Sequence, residues 1–160
     1  MKRLLFDHLE IPQQNIHFIP LDFDNSIEGY QLVTESYASN MKHVIPIRND
    51  YPVYDWILLG IGEDGHTASI FPNETNLETS DITLCVLKPS TNEFRVSLSA
   101  NTIRSAKRIT YLVTGRSKAL VISEILRKSG RYKEYPAYLI QSEQGKTEYL
   151  LDSEASILLS

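Results

Sequence analysis

The sequence predicts an α/β layered domain, and three observations carry that reading. Apolar segments of strand length alternate with segments of helical periodicity. One of them, Tyr54 to Ile61, is a near-continuous apolar run of the kind found in a central strand covered on both faces. At 160 residues, with 42% hydrophobic and 22% charged residues, the chain has the size and composition of one globular domain with a sizeable core. A single domain over 1–160 is expected, without repeats or low-complexity segments.

The elements follow in order. Residues 2–9 read as the tail of a helix closed by Pro12, and Asn15 to Pro20 as a short strand through Ile16, Phe18 and Ile19. Asn25-Ser26-Ile27-Glu28 is a helix-start signature, after which Tyr30, Val33, Tyr37 and Met41 fall on one helical face. The Tyr54 to Ile61 strand comes next. Ile82 to Leu87 and Phe94 to Leu98 read as strands, the second alternating with period two. A short helix over 100–107 leads into strand Ile109 to Val113. Thr114-Gly115-Arg116-Ser117 then opens a helix through Leu126, with Gly130 as its stop. Ala137 to Ile140 and Tyr149 to Leu151 complete the strands.

Charge and cysteine content narrow the function classes. A formal charge of −4 gives no general attraction to nucleic acid or to an anionic membrane, so an anionic ligand must be held by local groups. Cys85 is the single cysteine, which excludes an intrachain disulfide and suits a reducing compartment. Flanked by Leu84 and Val86, it reads as an inert buried thiol. No apolar run reaches transmembrane length, and Met1 to Phe6 is cut short by Asp7, His8 and Glu10. A cytoplasmic protein is expected, with neither nucleic acid nor membrane as partner.

The chemistry concentrates in Gly60-Ile61-Gly62-Glu63-Asp64-Gly65-His66, directly after the central strand. Glycines permit positive φ and close backbone approach. An Asp two residues before a His can orient and charge-stabilise an imidazole that titrates near working pH. Gly60, Gly62 and Gly65 also satisfy the dinucleotide pattern G-x-G-x-x-G, but that pattern needs a full helix after its third glycine. Pro72 limits any helix here to about two turns. A metal site on Asp64 and His66 has too few ligands, and His8, His17 and His43 are scattered. Acid–base chemistry on a small anionic substrate remains, with His66 moving a proton and the turn's N–H groups at a developing oxyanion. The plain alternative is a strand-to-helix turn with Asp64 as cap and His66 exposed. Three glycines and a short helix containing Ala68 and Ser69 straight after a core strand favour function.

A second feature is Lys118, expected in the first turn of the helix after Thr114-Gly115. A lysine there faces the positive end of the helix dipole, at a cost of roughly 0.3–1 kcal/mol, which a bound phosphate reverses. Otherwise the ammonium simply points into water. Arg95, just inside a strand, is either another anion contact or an ordinary strand-edge charge.

The segment Gly60 to Phe71-Pro72 closely resembles the signature of 6-phosphogluconolactonases. The resemblance continues through Arg95-Val96-Ser97-Leu98-Ser99, Leu112 to Ala119, Tyr135-Pro136-Ala137 and Leu150 to Ala155. It begins as early as Leu4 to Leu9 and covers essentially the whole chain. Glucosamine-6-phosphate deaminases share the Asp-Gly-His element but continue toward Asn-Glu-Pro, where this chain has Ile70-Phe71-Pro72. The resemblance implies a Rossmann-like, mostly parallel sheet flanked by helices. It implies hydrolysis of 6-phosphogluconolactone in the pentose phosphate pathway, with no metal or other cofactor. His66 would be the general base and Asp64 its orienting partner, with Gly62, Gly65, Lys118 and Arg95 binding the sugar phosphate.

One departure stands out. Members of that family begin with a strand leading to a Ser-Gly-Gly-Ser/Thr phosphate loop, followed by an Asp-Glu-Arg segment. Neither occurs here, and the first glycine is Gly29. The chain is therefore expected to lack the N-terminal phosphate-loop portion and to expose a sheet edge or apolar face open to self-association. Weak or absent catalysis, a sugar-phosphate-binding remnant and a deaminase-like isomerase are the alternatives this leaves.

Overall fold

The computed structural model describes residues 8–20, 26–88 and 90–159. The expected helix over 2–9 lies almost wholly outside them. After a short 3-10 turn at Gln13–Asn15, residues 16–20 form no strand, contrary to the sequence reading. Phe18 is exposed and Pro20 has no N–H to give a ladder.

Helix α1 (Ile27–Val44) starts at Ser26, whose Oγ accepts from the Gly29 N–H at 3.1 Å. Gly29 holds the third helical position, so Glu28 does not close a reciprocal capping box. Val33, Thr34 and Met41 are its buried face, and the helix packs on an antiparallel pair, β4 (Thr83–Leu87) with β5 (Phe94–Leu98). Between α1 and β4 lie the small antiparallel pair β1 (Ile47–Arg48) and β2 (Tyr51–Pro52) and then β3 (Ile57–Leu59).

The organising sheet is parallel and three-stranded, in the order β3, β6 (Arg108–Val113), β7 (Lys146–Leu151). This corrects the reading of Tyr54 to Ile61 as a central strand. Only three of its residues pair, and among the described residues β3 is an edge, while β6 holds the middle. The reason is visible in the alternation. Ile57, Ile109, Tyr111 and Val113 point into one core with Ile103 of α2 (Ala100–Arg104) and with Val121, Ile122 and Ile125 of α3 (Ala119–Arg127). On the opposite face Leu58, Leu112 and Leu150 are 53%, 49% and 50% exposed. Parallel sheets are ordinarily covered on both faces; among the described residues the helices cover one.

The bare face has a polar centre. Glu148 accepts from Arg108 Nε and Thr110 Oγ1, both at 2.7 Å, and pairs with Lys146. Lys146, Thr110 and Arg108 together pull its carboxyl down to about 2. These polar residues explain why β7 reaches back to Lys146, beyond the apolar Tyr149 to Leu151 visible in the sequence.

Two further expectations change. Thr114 does not open a continuous helix: a 3-10 turn at Arg116–Lys118 precedes α3, and α3 ends on Lys128 in the left-handed region (φ 51°), not on Gly130. Ala137 to Ile140 is not a strand but part of the one-turn helix α4 (Pro136–Leu139). Pro136 at its first position presets φ and has no N–H to lose. Among the described residues no helix is long and apolar enough to cross a membrane.

Core and surface positions of α3 should separate cleanly in stability. Ile122 is fully buried and Leu120 is 62% exposed. Urea unfolding is expected to show a loss of about 2–5 kcal/mol for Ile122→Ala and no more than about 0.5 kcal/mol for Leu120→Ala.

Candidate active site

β3 ends at Leu59, and the chain turns at once through Gly60 to His66. The turn closes on itself: the Gly62 N–H donates to the His66 carbonyl at 2.8 Å, and the Gly65 N–H to the Gly62 carbonyl at 3.1 Å. Thr67 Oγ1 ties the far side back to the Gly60 carbonyl at 2.9 Å. Two glycines are required by space. A Cβ on Gly62 would lie 2.0 Å from His66 Nδ1, and one on Gly65 (φ 81°) 2.3 Å from the Tyr135 ring.

That closure brings Asp64 and His66 together. Asp64 Oδ1 accepts from the His66 backbone N–H at 3.1 Å and from the ring Nδ1 at 2.6 Å. Because an ionised carboxylate only accepts, Nδ1 carries a proton, and it is Nε2 that holds the lone pair of the neutral ring. Partial burial opposes ionisation of Asp64, but the His66 backbone and ring contacts outweigh it and hold the carboxyl below its ordinary range. The Phe71 ring packs on the imidazole with centroids 4.9 Å apart.

The segment after His66 is not the short helix the sequence suggested. Ala68 is left-handed (φ 51°), and Thr67 and Ile70 form an isolated antiparallel bridge. A dinucleotide loop opening a helix has no counterpart here. The Gly62 and Gly65 N–H groups are also consumed inside the turn, so neither is the oxyanion donor anticipated from the glycines.

His66 and Asp64 line an open cleft of about 740 Å³, which Gly62 and Lys118 also line. Lys118 stands at the junction of the 3-10 turn and α3, its Nζ 3.7 Å from Glu63 Oε1. The preceding loop is fastened by Asp152, whose two oxygens accept from the Gly115 N–H at 3.1 and 3.0 Å. Arg95 does not join the cleft walls; it lies on β5 beside Glu93, 3.7 Å away. Gly65 sits behind the turn, against Tyr135.

The cleft residues that escaped the sequence reading include Asn73 and Glu74 after the turn, Lys88 and Ser90 in the β4–β5 connection, and Arg131 after α3. For Arg131 a signal existed, a glycine followed by a cation, with Gly130 at φ 56°. Lys88 carried none, since a lysine in a hairpin connection is ordinary surface. Cys85 lies outside the cleft, and burial pushes its thiol up. Among the described residues no three His, Cys, Asp or Glu side chains converge as a metal site would need.

Comparison with known proteins gives the family. The family described as glucosamine-6-phosphate isomerases/6-phosphogluconolactonase matches over residues 1–149. The chain belongs to this family. A 6-phosphogluconolactonase of Haemophilus influenzae is 40% identical over 159 residues, which span 99% of this chain and 65% of the relative. One from Aggregatibacter actinomycetemcomitans is 38% identical with the same shares. Among solved structures, devB protein superposes with a TM-score of 0.89 at 40% identity, over 99% of this chain and 65% of that one. The 6-phosphogluconolactonase of Trypanosoma brucei gives 0.84 at 27% identity, over 99% and 66%. A monomeric glucosamine-6-phosphate deaminase, 24% identical over 99% of this chain and 65% of that one, shares the fold with a TM-score of 0.70. The chain thus spans 65% of the length of the curated family members it matches first.

The Asp64 contacts give stability a defined pH dependence. A carboxyl held below its unfolded value contributes stability that is present above about pH 4, the ordinary aspartate range, and is lost as pH falls through the folded value. The unfolding free-energy gap between the native sequence and Asp64→Asn should be widest at neutral pH and close on acidification. Urea titrations from pH 7 to 3 measure it; a gap that widens toward acid rejects the assigned sign.

Proposed function

We propose that this chain hydrolyses 6-phosphogluconolactone to 6-phosphogluconate, a step of the pentose phosphate pathway, in the cleft that holds Asp64, His66 and Lys118. The observation that carries the proposal is the Asp64–His66 contact of 2.6 Å in a cleft that a lysine also lines. With Nδ1 committed to Asp64, Nε2 takes a proton from water as its oxygen attacks the lactone carbonyl. The ring C–O bond of the tetrahedral intermediate then breaks, and the imidazolium returns the proton to the leaving ring oxygen. Asp64 stays ionised throughout and stabilises the imidazolium between the two steps. Lys118 receives the phosphate, with Lys88 and Arg131 as further cations in a cleft that Glu63, Asp64 and Glu74 also line. No residue's role here calls for a metal or other cofactor.

Phe71 favours the lactonase over a deaminase-like isomerase. It occupies the position where the deaminase resemblance would place a glutamate, and it is a buried ring against His66. The single cysteine and the reaction's sugar-phosphate chemistry suit a cytoplasmic setting.

Lactone hydrolysis corrected for spontaneous opening is expected to fall at least about 100-fold in His66→Ala, with Lys118→Ala raising KM more than it lowers kcat. Equal rates for the native chain, His66→Ala and buffer reject the hydrolase. Calorimetric binding of 6-phosphogluconate without turnover, lost in Lys118→Ala, would make the cleft a sugar-phosphate binding site instead. Ammonia release from glucosamine 6-phosphate would mark the isomerase.

The same proposal includes self-association through the bare sheet face, where Leu58, Leu112 and Leu150 lie on neighbouring strands. Sedimentation velocity should show a concentration-dependent shift to larger species. Leu112→Lys with Leu150→Lys should abolish it while leaving the Asp64–His66 cleft intact; a native chain that stays monomeric at all concentrations removes this part of the proposal.

A further inference from the structure

Behind the Asp64–His66 turn lies a polar contact that neither the cleft nor the core accounts for. Tyr135 is 5% exposed, and its ring forms the floor under Gly65. Its hydroxyl donates to Glu124 Oε2 on α3 at 2.5 Å. A buried hydroxyl requires such a partner, but a phenylalanine would have required none. The same Glu124 oxygen accepts the Arg131 N–H at 3.2 Å, and a Cβ on Gly130 would meet Glu124 Oε1 at 2.2 Å. One carboxylate therefore grips both the loop that brings Arg131 to the cleft and the ring beneath the catalytic turn. A third tie runs from the Ala137 N–H to the Gly65 carbonyl at 3.1 Å.

We infer that Tyr135 and Glu124 are a positioning pair that fixes the Asp64–His66 unit from behind. Gly65 is the residue through which they act. Its left-handed backbone lets the turn bend back so that Asp64 Oδ1 meets both the N–H and the ring of His66. The Tyr135 ring, in contact with the only face on which Gly65 would carry a side chain, removes the space into which that turn could relax. The hydroxyl bond to Glu124 fixes the ring's tilt, and with it the height of the floor. Neither residue touches the cleft, so neither is a catalytic residue.

The kinetic part of the inference rests on the hydrolase reading, and the test carries a readout that does not. The imidazole Nδ1–H held by Asp64 gives a downfield proton resonance observable without substrate. Tyr135→Leu, which fills much of the space without the flat ring or hydroxyl, and Glu124→Ala, which removes the acceptor, are compared with the native chain. Both are expected to broaden or shift that resonance and to lower kcat by between about 10- and 100-fold, with KM changed by less than about threefold. Glu124→Gln, which keeps an acceptor oxygen, should recover most of the kcat lost in Glu124→Ala. Should Tyr135→Leu fail to fold, Glu124→Ala decides, because Glu124 is outside the core cluster. A folded Glu124→Ala with an unmoved Nδ1–H resonance overturns the inference. So does a loss that falls on KM alone. If the native chain has no turnover, the hydrolase reading fails while the resonance still decides the positioning role.

Discussion

The parallel pairing of β3 with β6 is the constraint on which the rest of the molecule depends. Ile57, Leu58 and Leu59 lie opposite Ile109, Thr110 and Tyr111, so the two strands run the same way and leave the sheet at the same end. Asp64, His66 and Lys118 are all fastened there. The Asp64–His66 turn hangs from the end of β3, and Lys118 follows the end of β6. Their neighbourhood is expressed in the 3.7 Å approach of Lys118 to Glu63. An antiparallel pairing would have put the two segments at opposite ends of the sheet. β6 can hold this place because it is the best-buried strand: Tyr111 is fully enclosed, stacks on Tyr149 and donates to the Ile140 carbonyl at 2.9 Å. Ligand sites at the carboxyl ends of parallel strands follow from the same geometry in open α/β sheets generally.

The parts of this arrangement that were legible in the sequence are those encoded locally. Ser26 announces α1, period-two alternation announces β5, and an Asp-Gly-His after a core strand announces the turn. What was hidden depends on partners far along the chain. Tyr54 to Ile61 has the composition of a central strand, but rank in a sheet is decided by which strands pair, and β7 pairs with β6. Ala137 to Ile140 has strand composition too, yet Pro136 and the Gly65 carbonyl make it a helical turn. At the cleft, Lys118 was readable because a lysine at a helix start is an electrostatic oddity. Lys88 and Ser90 were not, because nothing local distinguishes them from surface residues, and Arg131 carried only the glycine before it. Arg95 has the neighbours of a site residue in sequence and lies on β5 beside Glu93, outside the lining of that cleft.

The glycines deserve a different account from the one their pattern invites. A run of three suggests N–H groups bared toward a ligand. Here the hydrogen bonds of Gly62 and Gly65 close the turn, and what the missing side chains provide is room. Gly62 leaves space for the imidazole, and Gly65 leaves space for the Tyr135 ring. The turn is thus a packing solution first, with one carboxylate oxygen satisfying two donors of a single histidine. That arrangement fixes which ring nitrogen faces away from Asp64, and it does so before any ligand arrives.

The bare side of the sheet sets how firmly that turn is held. Full burial of a leucine side chain is worth about 1.5–3 kcal/mol, so covering the exposed halves of Leu58, Leu112 and Leu150 would add roughly 2–4 kcal/mol. Against a typical domain stability of about 5–15 kcal/mol, that is a large share. It falls unevenly. β7 is anchored by six paired residues and by the Arg108–Glu148–Lys146 cluster, whereas β3 is held by three pairs along one edge. Local opening should therefore start at β3, the strand from whose end the Asp64–His66 turn hangs. Whatever covers Leu58 steadies the Asp64–His66 turn as well as the fold.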